Sequence, residues 1–159
     1  MTFSDIRGAR ATGTVPVRED LINSVIAEQI NGRSGPVQEV EIRVGGDNHL
    51  QVGLRVAIGP FSKWFRPELV LSPQAVLAHS PCLHFTIATA HYGAIVRLFS
   101  LFAKDSLPPG VHLSNQQVSI DFALLPQTAK YRPYFQHLRD LQLTTRPGVL
   151  TVAFDLEVQ

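Results

Sequence analysis

The chain has 159 residues, a length that suits one domain able to bury about 70% of its unfolded-chain surface without disulfides or metal. Its 14 basic and 13 acidic residues leave a net charge of +1 and form no basic block, which excludes nucleic acid as a charge-driven partner. Hydrophobic residues make up 45% and charged residues 17%, with a mean hydropathy of +0.08, so the apolar excess must go into a core, a cavity or a partner.

Cys82 is the only cysteine, so no intrachain disulfide can form. Met1 to Arg10 is polar and lacks the apolar region of a signal peptide. The longest apolar stretch, Ala94 to Ala103, is interrupted by Arg97 and is short of the roughly 18 residues that span a bilayer. These features lead to the expectation of a cytoplasmic protein.

In chain order, Gly8 to Val17 is predicted as a short extended piece ending at Pro16, which cannot sit inside a helix. A first helix is predicted over Arg18 to Ile30. Leu21, Ile22, Val25, Ile26 and Ile30 form its apolar stripe, Glu19 and Asp20 suit the positive end of the helix dipole, and Asn31-Gly32 supplies the stop. A hairpin follows. Val40, Ile42 and Val44 alternate with Glu39, Glu41 and Arg43. The turn is Gly45-Gly46-Asp47-Asn48, and Leu50, Val52, Leu54, Val56 and Ile58 share one face of the return strand.

Gly59 to Ser80 is rich in proline and aromatics and is predicted to be irregular. Leu83, Phe85 and Ile87 form a further alternating run. A second helix is predicted over Tyr92 to Lys104, with apolar residues on more than one stripe. Val118, Ile120 and Phe122 mark another strand. A third helix is predicted over Arg132 to Leu141, with Pro133 near its start and Tyr134, Phe135, Leu138 and Leu141 as its stripe. The last hairpin turns at Arg146-Pro147-Gly148 into Leu150, Val152, Phe154, Leu156 and Val158. Two-faced, hairpin-linked strands interspersed with helices predict a single α+β domain with an antiparallel sheet.

No phosphate-cradling glycine loop and no nucleophile-elbow motif is present. His79, Cys82, His84 and His91 lie within 13 positions, but the spacing matches no zinc finger. They suit surface histidines beside a small thiol, or a thiol nucleophile with a histidine base, with no orienting acid nearby in the sequence. The carboxylates, Asp121 and Asp155 among them, fall on polar strand faces or in turns and form no legible acid–base pair. No catalytic residue, metal or cofactor is assigned. Phe61-Ser62-Lys63-Trp64-Phe65-Arg66-Pro67 combines three aromatics with two cations. Phe61, Trp64 and Phe65 either plug the end of the core or touch a membrane surface or a partner.

The helix with Asp20-Leu21-Ile22-Asn23 near its start, the strand Val37 to Val44, the Gly-Asp-Asn turn and the strand Leu50 to Ile58 resemble the small bacterial members of the tubular lipid-binding superfamily. The resemblance covers about half of the chain. It implies a curved antiparallel sheet wrapped around or packed on a long amphipathic helix, with two further helices and an apolar cavity between helix and sheet. The expected function is non-catalytic binding of a lipid or other apolar small molecule. The expected lining is Leu21, Val25, Val52, Leu54, Phe85, Ile87, Phe99, Phe102, Ile120, Phe122 and Phe154. Burying a methylene contributes about 0.8 kcal/mol, so a sixteen-carbon chain gains at most about 13 kcal/mol before ordering costs. The rival expectation is a protein-interaction or homodimerisation module without a ligand.

Overall fold

The computed structural model describes residues 8–31, 35–77, 80–88, 93, 109–114 and 116–158. Ten strands run through these residues: β1 (Arg10–Arg18), β2 (Val37–Val44), β3 (His49–Ile58), β4 (Phe61–Phe65), β5 (Glu68–Leu71), β6 (Cys82–Ile87), β7 (Val111–Ser114), β8 (Gln117–Asp121), β9 (Leu138–Arg146) and β10 (Val149–Glu157). Helix α1 spans Glu19–Ile30. A 3-10 helix, Pro126–Tyr131, leads into the four-residue α2, Arg132–Phe135. The strands form two antiparallel sheets, one of three strands in the order β1-β10-β9 and one curled sheet of seven, β2-β3-β5-β6-β8-β7, with β4 also on β3.

The β2–β3 hairpin follows directly from its side chains. Val44 pairs with Leu50, Ile42 with Val52 and Val40 with Leu54, so every apolar pair falls on one face. The turn needs two consecutive residues at positive φ, and Asp47 (52°) and Asn48 (61°) are types that tolerate it. β4 and β5 share one register against β3: Leu54 faces Phe65 and Gln51 faces Glu68. They are one long return strand interrupted at Arg66-Pro67. Pro67 has no N–H to give, but its carbonyl accepts from Val52 N–H at 2.9 Å. The first half of the segment expected to be irregular is therefore largely strand, with Gly59 at φ 59° and Pro60 making the tight turn before it.

The core lies between the sheets. Val44, Leu50, Leu71, Leu83 and Phe85 from the curled sheet meet Leu143 from β9, and Leu71, Ile87 and Val56 are each only 1% exposed. Full burial of each such side chain contributes about 1.5–3 kcal/mol.

Asn48 ties the sheets together. Its Nδ2 donates to Leu143 O at 3.1 Å, its Oδ1 accepts from Thr145 N–H at 2.9 Å, and its own carbonyl accepts from Leu71 N–H. Beside it Leu143 N–H donates to Pro73 O and Ala75 N–H to Leu141 O, so residues 73–75 finish the same edge of β9.

Helix α1 closes the outer edge of β2. Asn23 imitates a neighbouring strand: its Nδ2 donates to Ile42 O at 2.8 Å and its Oδ1 accepts from Ile42 N–H at 2.7 Å. A Glu19 carboxylate oxygen accepts from Val44 N–H at 2.7 Å. Covering an edge in this way blocks edge-to-edge pairing.

Several expectations are overturned. The molecule is mostly β rather than α+β, and among the described residues there is no long amphipathic helix for a sheet to wrap. α1 has twelve residues and extends about 18 Å, and it lies along a sheet edge. The helix expected over Arg132 to Leu141 stops at Phe135, and from Leu138 the chain is strand β9. The second expected helix, Tyr92 to Lys104, falls almost wholly outside the described residues, as do Phe99 and Phe102. The piece ending at Pro16 continues to Arg18. Glu19 N–H donates to Gly148 O, which sets the alternation so that Pro16's missing donor falls on the outer edge of β1. No described helix is long and apolar enough to cross a membrane.

Asn48→Gly keeps the positive φ and removes both side-chain bonds to β9, so urea denaturation should show a loss of about 1–3 kcal/mol. An unchanged midpoint would contradict the tie. Thr145 is 7% exposed and its hydroxyl has no partner among the described residues. Thr145→Val should therefore raise stability by about 1 kcal/mol in the same measurement.

Candidate functional site

Strand alternation places Leu150, Val152, Phe154 and Leu156 of β10 on one face, opposite the charged and small residues Asp155, Glu157, Thr151 and Ala153. Across from them on β9 stand Leu143 (with Val152), Leu141 (with Phe154) and Leu138 (with Leu156). Leu138 and Leu141 are three apart, a spacing that a regular strand would send to opposite faces. A bulge before the Leu138–Leu156 pair absorbs one residue and returns Leu138 to the apolar side.

This ribbon forms one wall of a cavity of about 440 Å³. Tyr131, Tyr134 and Phe135 of the 3-10 helix and α2 form a second wall. Pro81, Leu83 and Phe122 of the curled sheet and its loops form a third. Thr128 anchors the second wall, its hydroxyl donating to the carbonyls of Phe122 and Leu125. The wall's far end is tied to β10 by Glu157 N–H donating to His137 O at 2.8 Å.

Two features fix β10 against β1. Gly13 of β1 faces Phe154, and a Cβ there would stand 2.5 Å from the ring's Cζ, so only glycine lets the ring lie across β1. On the opposite face Arg10 grips Asp155 with both ends of its guanidinium, Nε to Oδ1 at 2.9 Å. That hydrogen bond holds the Asp155 carboxyl below the usual carboxylate range and raises the Arg10 guanidinium in turn.

Of the lining expected from sequence, Phe122 and Phe154 face this cavity. Phe85 and Ile87 are buried core, and Ile120 packs against that core. Val52 and Leu54 are half-buried on β3, away from the site. Leu21 and Val25 are 56% and 50% exposed, because Ile22, Asn23, Ile26 and Ile30 are the helix positions turned inward. The aromatic cluster is divided by strand alternation. Phe61 and Phe65 share a face with Lys63, whereas Trp64 lies on the other face over Gly53 with Arg66 stacked at 5.0 Å. The leucines of β9 and β10 and the three aromatics of residues 131–135 were missed. Alternation from Leu150 to Leu156 was legible, but the partner wall was assigned to a helix.

Among the described residues no group of three or more histidine, cysteine or carboxylate side chains is placed to hold a metal. His79 and His91 lie outside those residues. Cys82 and His84 share the outer face of β6, with Asp121 and Ser119 as their respective neighbours on β8. Asp121 is committed to structure, accepting from Ser80 Oγ at 2.7 Å and Ala123 N–H at 2.9 Å. Burial pushes the Cys82 thiol up, and the Asp121 carboxylate pushes it further. Its thiolate therefore forms only at pH values where an ordinary thiol is already ionised. Labelling of Cys82 by iodoacetamide at pH 7 should be slower than that of a free cysteine peptide and should accelerate with pH. Fast labelling at pH 7 would contradict this environment.

No protein-family model, no curated protein and no solved structure matches this chain.

Proposed function

We propose that the chain binds one apolar small molecule, such as an acyl chain, in the cavity between the β9–β10 ribbon and the segment 126–135, without covalent chemistry. The supporting observation is the cavity's composition: thirteen lining residues from three walls include no carboxylate, amine, amide or imidazole. Binding sites for small molecules are concave, mostly apolar and about 300–1,000 Å³ in volume, and this cavity falls inside that range. Apolar burial alone supplies about 0.8 kcal/mol per methylene, so no polar group is needed for retention. Among the described lining residues Tyr131 and Tyr134 alone carry hydroxyls, suited to the polar end of an amphiphile. The proposal does not rest on the tubular lipid-binding resemblance, whose long central helix is not among the described elements.

A second reading, homodimerisation, is favoured by one observation. β1 is a nine-residue strand whose outer edge has no strand partner among the described residues, with Val15 48% exposed on it. Pro16 and the flanking Arg10 and Arg18 oppose it, since they interrupt the outward donors and place charge at both ends.

Native mass spectrometry of the purified protein should show a co-purified apolar molecule. After solvent extraction, a fluorescent fatty acid should bind saturably at one per chain. Leu141→Trp, which fills the cavity from β9, should weaken that binding at least about tenfold with little change in the unfolding midpoint. A lipid-free protein with no saturable uptake would overturn the proposal. A concentration-independent dimer with no uptake would favour the second reading.

A further inference from the structure

We propose that the mouth of this cavity docks on an anionic lipid bilayer through residues 129–134, so that the ligand passes between membrane and cavity without crossing water. The inference rests on the binding reading above and names the surface the site would face.

Tyr131 and Tyr134 line the cavity yet are each 49% exposed, which places them at its rim. Ala129, Lys130, Arg132 and Pro133 between and beside them are all exposed, and Leu124 just upstream is 48% exposed. Between Phe122 and Arg139 the sequence holds Lys130, Arg132 and Arg139 and no aspartate or glutamate. Arg139 is neutralised by Glu157 at 2.6 Å. Lys130 and Arg132 form no ion pair with a described residue, and the Lys130 ammonium sits over the Tyr131 ring at 4.8 Å. Tyrosine settles at the water–hydrocarbon boundary, with its ring in the acyl region and its hydroxyl in the headgroups. Cations beside it are drawn to anionic headgroups.

The rim therefore presents apolar, amphipathic and cationic groups together at the opening of an apolar space. The other aromatic–cationic segment, β4, does not meet this description. Phe61 is 76% exposed, but Trp64 points to the opposite face from Phe61, Lys63 and Phe65, and none of the four lines the cavity.

The test is flotation with vesicles of phosphatidylcholine alone and of phosphatidylcholine mixed with phosphatidylglycerol. The wild-type chain should float with the anionic vesicles, and high salt should weaken the association. The double variant Lys130→Glu/Arg132→Glu should lower it by at least about tenfold. That variant should keep its saturable uptake of a soluble fluorescent fatty acid measured without vesicles, which also reports that it is folded. Three results would each overturn the proposal: no flotation with anionic vesicles by a wild-type chain that takes up fatty acid, flotation unchanged in the double variant, or flotation lost with Phe61→Ser instead. Flotation that depends on Lys130 and Arg132 in a chain that takes up no fatty acid would uphold the docking surface and defeat the cavity reading alone.

Discussion

The constraint on which the rest of the molecule depends is the double grip on β9. One edge of the strand pairs with β10. The other is held by the Asn48 side chain and by residues 73–75, which reach across from the curled sheet. A strand fixed on both edges cannot swing toward the opposite sheet. At the Leu143 end the two inner faces meet and pack as core. Toward Leu138 and Leu156 the side chains of the ribbon line the cavity, and Tyr131, Tyr134 and Phe135 cover it without filling it. Core and cavity are thus two ends of one apolar layer. Leu83 and Leu143 belong to both, so the filled and unfilled parts of that layer are continuous.

That arrangement explains how a protein interior, which normally packs densely, retains unfilled space here. Collapse onto the cavity would need the β9–β10 ribbon to bend. Its bulge between Leu138 and Asp140, the Arg10–Asp155 clamp and the Glu157–His137 backbone bond fix the ribbon along that stretch. Gly13 completes the device by leaving room for the Phe154 ring over β1, where any larger residue would collide with it.

Much of the fold was legible in the sequence, and the failures have physical causes. The β2–β3 hairpin announced itself through strict alternation joined by residues that accept positive φ, and the turn at Arg146-Pro147-Gly148 with strand β10 did so too. β6 did so through Leu83, Phe85 and Ile87. Helix α1 was legible as a helix but not in its orientation. Of its expected stripe, Ile22, Ile26 and Ile30 turn inward while Leu21 and Val25 are exposed, and the inward face also takes Asn23, whose amide satisfies the bare edge of β2 as a methyl group could not. β9 was misread because a bulge turns a period of two into a spacing of three, so Leu138 and Leu141 imitated a helix stripe. β4 and β5 were hidden by Pro67, which looks like a breaker but sits where only a carbonyl is required. The cavity itself could not be read, because unfilled volume depends on how segments distant in sequence pack together, which no local pattern encodes.

An apolar ligand held beside the β9–β10 ribbon would report itself by intermolecular nuclear Overhauser contact between a bound protonated fatty acid and a chain carrying methyl-labelled leucine, valine and isoleucine. Contacts are expected to the methyls of Leu141, Val152 and Leu156 and none to those of Val56 or Ile87, which lie in filled core. Contacts confined to Leu21, Val25 or other outward methyls, with the ribbon silent, would contradict binding in the cavity.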